Sequence, residues 1–289
     1  MKFSFIEKQH KDKYSTGRIC ALLGVSRSGY YAWKKRKPSQ REQINRALID
    51  HIRRIHRMSR KAYGSPRVYA QLKKQGVSCN QKTVARLMRQ EGLKGQRKYR
   101  KVITTNSNHK FPIASNVLNR EFTADRPNQK WVADITYIPT EEGWLYVAGV
   151  LDLFSRKIVG WDMSSQIDAT LVERALRMAL YQRHPGKGLL HHSDRGVQYA
   201  SHQIRDILAA NQIQVSMSGK GNCYDNAVIE SFWGTLKNEL VHHQKYKTRS
   251  QARTDIFGYI EGFYNTTRLH SSLGYLSPSE FEAKYQKSP

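Results

Sequence analysis

Three acidic side chains, Asp134, Asp194 and Glu230, could converge on one point, and the first stands where a carboxylate costs free energy unless something neutralises it. Asp134 lies within Trp131-Val132-Ala133-Asp134-Ile135-Thr136-Tyr137-Ile138, a run of β-formers, and Asp194 ends the apolar stretch Leu189-Leu190-His191-His192-Ser193. Glu230 falls in a helical segment, Tyr224–Leu240, behind the loop Ser218-Gly219-Lys220-Gly221-Asn222. Three carboxylates at one point repel unless cations lie between them, and hard oxygen donors without His or Cys favour Mg²⁺ or Mn²⁺. Two such ions about 3.5–4 Å apart activate an attacking hydroxyl and stabilise the leaving oxygen of an in-line phosphoryl transfer. The plainer alternative is three ion-paired structural carboxylates. Asp152 competes for a place in the set, but capping the turn into Ser155-Arg156 explains it as well, and it is left out. Lys237 follows Glu230 by seven residues, two helical turns on the same face, which suits either a phosphate contact or a solvated lysine.

Other chemistries fit less well. His191-His192-Ser193 has the residue types of a hydrolase, yet no strand-turn-helix nucleophile elbow surrounds the serine. Gly219-Lys220-Gly221 lacks the Walker spacing, so its glycines are read as letting the third carboxylate's helix move. Cys20, Cys79 and Cys223 show no C-x-x-C spacing, which argues against a disulfide framework or a Cys-rich zinc module.

The elements that would position the acids follow from periodicity. Strands are expected at Trp131–Ile138, ended by Pro139, then at Trp144–Asp152 and at Lys157–Met163, the first two joined through Glu141-Glu142-Gly143. A helix over Leu171–Arg183, a buried strand into Ser193, a helix over about His202–Asn211, a strand at Gln214–Met217 and the helix of Glu230 complete the order β-β-β-α-β-α-β-α. Three antiparallel strands followed by parallel additions make a mixed α/β sheet, in which adjacent central strands would bring Asp134 and Asp194 together.

Charge divides the chain. The net charge is +26 and the pI about 10.1, yet residues 1–120 hold 30 Lys+Arg against 5 Asp+Glu, so nearly all of the excess sits in the first two-fifths. Such an arm attracts polyanions by counterion release, whatever its fold. Ile19, Leu22 and Leu23, then Gly24 and the N-cap Ser26, give a helix-turn-helix pattern whose second helix runs through Tyr30, Tyr31 and Trp33. Arg27 and Ser28 would stand at its base-reading end, and Lys34, Lys35 and Arg36 at the phosphates, with the aromatics taken as exposed. A second unit has Ile49, Ile52, Ile55 and Met58 on one helix and Val68 and Leu72 on another; the helix after Gly76 ends at Gly92 and points Lys82, Arg86 and Arg89 outward. The expected domains are a basic helix-turn-helix segment at 1–48, a second helical domain at 49–95, a basic linker at 96–124 and an α/β core with a helical extension at 125–289. The N-terminus lacks signal-peptide character and no apolar run approaches the ~18 residues of a membrane span, so a cytoplasmic protein is expected.

At these residues the sequence resembles the insertion-sequence transposases of the IS-three family, second-reading-frame product, within the retroviral-integrase-like DDE superfamily. The likeness runs through Trp131–Tyr137, His192-Ser193-Asp194-Arg195-Gly196-Val197-Gln198-Tyr199 and Asn222-Cys223-Tyr224-Asp225-Asn226-Ala227 to Glu230-Ser231-Phe232-Trp233, Lys237 and Glu239. It continues in Tyr264-Asn265, Arg268, His270, Leu273-Gly274-Tyr275 and Pro278, with Ala62-Tyr63-Gly64-Ser65-Pro66-Arg67 ahead of the core. The 35 residues between Asp194 and Glu230 match the family's spacing. The resemblance implies a ribonuclease-H-like catalytic core after an all-α helix-turn-helix arm, with Asp134, Asp194 and Glu230 holding two Mg²⁺ (or Mn²⁺) ions. It implies cleavage of element ends and 3′-hydroxyl strand transfer on double-stranded DNA by a homo-oligomer. It also implies fusion or association with an upstream-frame product that supplies a leucine zipper, for which no heptads occur here. A non-catalytic DNA-binding regulator and a ribonuclease-H-like nuclease without strand transfer are the competing functions.

Overall fold

The computed structural model describes residues 2–9, 14–96, 113–219 and 223–287, in two compact units, Met1–Arg53 and Arg54–Pro289. The expected basic run Arg97–Lys101, Thr104–Asn108 and the glycine at 221 lie outside the described residues.

The first unit holds α1 (Lys2–Gln9), α2 (Thr16–Leu22) and α3 (Arg27–Lys35). Gly24 takes a left-handed φ of 60°, ending α2, and the Ser26 hydroxyl accepts the Gly29 amide at 3.0 Å, which starts α3 as its sequence indicates. Ile6, Ile19, Cys20 and Tyr30 form the small core. Tyr30 is therefore not the exposed aromatic expected: α1 covers it, and its hydroxyl donates to Glu7. Tyr31 and Trp33 do remain exposed. The long helix α4 (Gln40–Met58) contains the border between the units.

In the second unit α5 (Ser65–Lys74) and α6 (Gln81–Gln90) precede a five-stranded sheet in the order β3-β2-β1-β4-β5. The strands are β1 (Lys130–Thr140), β2 (Gly143–Asp152), β3 (Ile158–Ser164), β4 (Leu190–Ser193) and β5 (Gln214–Met217). β1 pairs antiparallel with β2 and parallel with β4, so the meander and the parallel additions meet at the strand that carries Asp134. Pro139 does not end β1; it pairs with Trp144 beyond the last residue matched to β4, where β1 has one strand neighbour and a missing N–H costs least. One face of the sheet, through Trp131, Ala133, Ala148 and Val150, packs on α7 (Ala169–Arg183) and α8 (His202–Ala210). Gly160 lies close against α7: a Cβ there would lie 2.3 Å from the Ala175 carbonyl oxygen. The other face receives α9 (Ala227–Glu239), entered through a 3₁₀ turn at Cys223–Asn226; α10 (Arg249–Tyr259) also touches β1 and β2, and α11 (Pro278–Gln286) is tied through Glu282 to Arg183 of α7 and to Ser155. The described part of the expected linker is tied to the core, since the Ser216 hydroxyl accepts the amides of Val117 and Leu118 at 2.9 and 3.1 Å. No described helix is long and apolar enough to cross a membrane.

Candidate active site

The last register pair of β1 and β4 is Ala133 with Ser193, so Asp134 and Asp194 each occupy the next position along adjacent parallel strands. Asp134 faces Gly149 across the β1–β2 pair. A Cβ at Gly149 would lie 2.9 Å from Trp233 and 4.0 Å from Ile229, so this missing side chain lets α9 settle directly beside Asp134. Ile229 and Trp233 flank Glu230 in the sequence of that helix. All three carboxylates are partly exposed.

Each has local support. Asp194 Oδ1 accepts the Gly196 amide at 2.9 Å, which fixes the carboxylate in a turn beyond the strand end. Asn226 Nδ2 donates to the Ala133 carbonyl at 2.9 Å, fastening the start of α9 to β1 one residue before Asp134. Asp225 is buried and holds three segments: Gly219 N and Asn116 Nδ2 donate to Oδ2 at 2.8 and 2.9 Å, and Arg120 Nε to Oδ1 at 2.9 Å. Burial alone would raise this carboxyl, but the Gly219 amide and Arg120 hold it below its ordinary value. Tyr199 is fully enclosed, and burial, then the charges of Asp134 and Asp194, push its phenol well up. Tyr199 thus stays a neutral phenol within the buried cluster that packs on α7 and α8.

Lys237 projects from α9 to lie 5.7 Å above the Tyr137 ring. Burial lowers its ammonium pKa while Asp134 pulls the other way, so the lysine shares the field of the first carboxylate. Among the described residues no group of three or more His, Cys, Asp or Glu side chains is gathered closely enough to hold a metal ion. The strands therefore align two carboxylates, and the helix that carries the third, α9, packs against β2 at Gly149 beside them, but among the described residues no ready three-way cage exists. Like charges without a cation between them have no reason to converge.

The other expected site residues are dispersed. Arg27, Ser28, Lys34, Lys35 and Arg36 are exposed on and after α3, with Lys34 paired to Glu7 at 3.2 Å. Lys82, Arg86 and Arg89 are exposed on α6, which Asn80 caps by accepting the Lys82 amide at 2.8 Å. Asp152 is buried and occupied, accepting the amides of Asn128 and Phe154 at 2.8 and 2.9 Å and Arg183 at 3.3 Å. His192 lies between Ser216 at 2.8 Å and Ser218 at 3.2 Å; all three are buried, and burial lowers the imidazole pKa to about 4, so this is a packed neutral cluster without substrate access. Asp225, Asn226, Tyr199 and Gly149 are the supports that reading the residues one by one missed. For Asp225, Asn226 and Tyr199 the signal available was their place inside the motif strings; Gly149 lies outside them and gave none.

Comparison with known proteins gives the family. Integrase core domain families match residues 124–223 and 211–278, and an HTH-like domain family matches 43–101. The insertion element IS600 31 kDa protein of Shigella sonnei is 45% identical over 93% of this chain and 99% of its own length. Transposase InsF for insertion sequence IS3A of Escherichia coli (strain K12) is 42% identical over 98% and 99%. Among solved structures, a simian T-cell lymphotropic virus intasome bound to the PP2A regulatory subunit B56 gamma aligns over 82% of this chain and 74% of its own at 13% identity, TM-score 0.48. The HTLV-2 integrase catalytic core domain with magnesium aligns over 55% and 98% at 14% identity, TM-score 0.42. With an integrase core around its aligned aspartates and full-length likeness to InsF, the chain belongs to the IS3 family of insertion-sequence transposases.

Proposed function

We propose that this transposase cleaves the ends of its insertion sequence and joins the freed 3′-hydroxyls to target DNA, with Asp134, Asp194 and Glu230 as the catalytic, metal-holding carboxylates. The observation that supports the reading is the register: Asp134 and Asp194 stand side by side at the end of the β1–β4 pair, on the face where α9, the helix of Glu230, packs at Gly149. Their all-oxygen donor set fits Mg²⁺ or Mn²⁺, and two ions would polarise the attacked phosphodiester and stabilise the leaving oxygen. Gly196 holds Asp194 in place, Asn226 fastens the start of α9 to β1, Gly149 lets α9 close on β2, and Lys237 would meet the phosphate approaching Asp134. In the first step water adds to phosphorus and the bond to the 3′ oxygen breaks. In the second, that 3′ oxygen attacks a target phosphorus and displaces another 3′ oxygen, so no bond to the protein forms.

Arg27, Ser28, Lys34, Lys35, Arg36, Lys82, Arg86 and Arg89 are proposed to hold double-stranded DNA, in a helix-turn-helix segment at 1–48 and a second helical domain at 49–95, joined by the linker 96–124 to the catalytic core at 125–289. Their exposure on short capped helices of a strongly basic region supports this. A homo-oligomer on the nucleoid, associated with the upstream-frame product, completes the proposal. The test is incubation with labelled element ends, target plasmid and Mg²⁺, with and without that product. Asp134→Asn, Asp194→Asn and Glu230→Gln should each abolish cleavage and joining while end binding persists. Normal joining by a well-folded Glu230→Gln protein would refute the assignment.

A further inference from the structure

Behind the stripe of α9 that carries Glu230 and Lys237 lies a second stripe, Val228, Ser231, Thr235 and Asn238, at three- and four-residue spacing. It forms one wall of a cavity of about 440 Å³. Arg67, Arg156 and Arg268 line the rest, together with Glu239, Ser271 and Ser272. The charges do not balance. Glu239 takes Arg268 bidentately, at 2.6 and 2.8 Å, and a 2.8 Å bond from the Tyr259 hydroxyl, and lies 3.8 Å from Arg67. It can offset one guanidinium of the three. His270, also in the wall, is held neutral, its pKa driven to about 2 by burial and then by Arg268, Arg67 and Arg156. Arg156 Nη2 donates to the Phe122 carbonyl at 3.2 Å, but Nη1 is shielded from solvent and has no partner among the described residues.

Asp152 lends Arg156 part of a counter-charge, but a shielded guanidinium nitrogen with no acceptor is costly and marks a place for one, such as the oxygen of an anion. The hydroxyls of Ser231, Ser271 and Ser272 would supply further donors, and the volume falls within the range of small-ligand sites. We propose that this cavity binds a phosphate group of the DNA strand under reaction, one helix stripe away from Glu230. The proposal rests on the transposase reading above. It gives α9 two tasks: one face presents a carboxylate to the scissile phosphate, and the adjoining face anchors another phosphate of the same strand. Arg67, on α5, would couple that anchor to the helical unit ahead of the core.

The test uses the full chain carrying Asp134→Asn, so that its outcome does not depend on catalysis. Inorganic phosphate is titrated and followed by ³¹P line broadening and thermal shift. DNA ends bearing a bromoacetylated backbone phosphorothioate are then offered to the Ser231→Cys variant. Phosphate should bind, and Arg156→Gln should weaken it by roughly 10- to 100-fold, the loss of one charge-assisted hydrogen bond. Thr235→Ala, whose hydroxyl donates to the Ser231 carbonyl within the helix, serves as the milder second variant and should weaken binding less. Ser231→Cys should crosslink to the DNA, and Arg156→Gln should suppress that crosslink while total DNA binding through the basic arm persists. No phosphate binding, or equal binding by folded Arg156→Gln protein, overturns the site. Phosphate binding without a DNA crosslink overturns DNA as its source and leaves a free phosphate ester. Crosslinking by a protein whose wild type never cleaves ends supports the site and refutes the catalytic reading instead.

Discussion

Gly149→Ala tests how closely the catalytic helix must lie against the sheet. The new Cβ would stand 2.9 Å from two carbons of the Trp233 ring. Carbon atoms in good contact are about 3.5–4.0 Å apart, so ring or helix must retreat by roughly 0.6 Å. Trp233 is buried, and its ring has little freedom to swing aside. Overpacking of this kind costs about 1–3 kcal/mol. Replacing a strand glycine by alanine returns about 0.5–1 kcal/mol of backbone entropy, which is the smaller term. A net loss of about 0.5–2 kcal/mol should lower Tm by roughly 2–6 °C. Activity should suffer more than stability, because α9 carries Glu230: displacements of this size cost on the order of 10- to 100-fold in rate when reacting groups must be aligned. Thermal unfolding and Mg²⁺-dependent strand transfer measure the two losses, and gel shifts should show unchanged end binding. Adding Trp233→Leu makes room and should recover part of the activity. Unchanged Tm and unchanged strand transfer in Gly149→Ala would show that α9 does not rest on this glycine.

Gly160→Ala should be worse for folding, because its Cβ meets the α7 backbone at Ala175 O and Ala179 N as well as the Ala179 methyl, none of which can swing aside; urea denaturation should show a loss of about 3 kcal/mol. Asp225→Asn puts an NH₂ where one of three donors now finds an oxygen, so stability should fall by about 1–3 kcal/mol and strand transfer should fall further than end binding, as parallel assays would show. Burial pushes the Glu282 carboxyl up, but Arg183, Ser155 and Lys157 more than reverse this and hold it below its ordinary value of 4.5. The unfolded chain then takes the proton first, so this carboxylate's stabilisation is present above about pH 4.5 and is lost as pH falls through the lower folded value. Urea midpoints between pH 6 and 3 should therefore drop more steeply in wild type than in Glu282→Gln.

Local rules made much of the fold and the carboxylates legible. Ser26 announces α3 because a cap needs only its own next three residues, and Asp134 is conspicuous because a charge amid β-formers needs a reason. What escaped depends on partners distant in the chain. Tyr30 looked exposed because α1, which covers it, has weak periodicity of its own. Asp225 gave no sign of burial, since Asn116 and Arg120 reach it from the far side of five strands and two helices. Gly149 reads as an ordinary weak point in a strand until Trp233 is seen to fill the space above it. Residues 113–124 lack any period, yet Ser216 and Asp225 hold them down, a role for irregular backbone that periodicity cannot register.

The mixed pairing of β1 also orders the assembly of the molecule in time. Its antiparallel partner β2 begins at Gly143, three residues after β1 ends, whereas its parallel partner β4 waits until Leu190, beyond the whole of α7. Local hairpins close quickly and long crossovers slowly, because the entropy of closing the larger loop must be met before any contact repays it. During synthesis and refolding alike, Asp134 should be in place on a three-stranded meander before Asp194 arrives beside it, and Glu230 should join last. Until β4 docks, the long edge of β1 is an open row of amides and carbonyls beside apolar side chains, a template for pairing with other chains. The arrangement that sets two aspartates side by side thus leaves the half-made protein with an aggregation-prone edge, and chains truncated within α7 should accumulate as insoluble material.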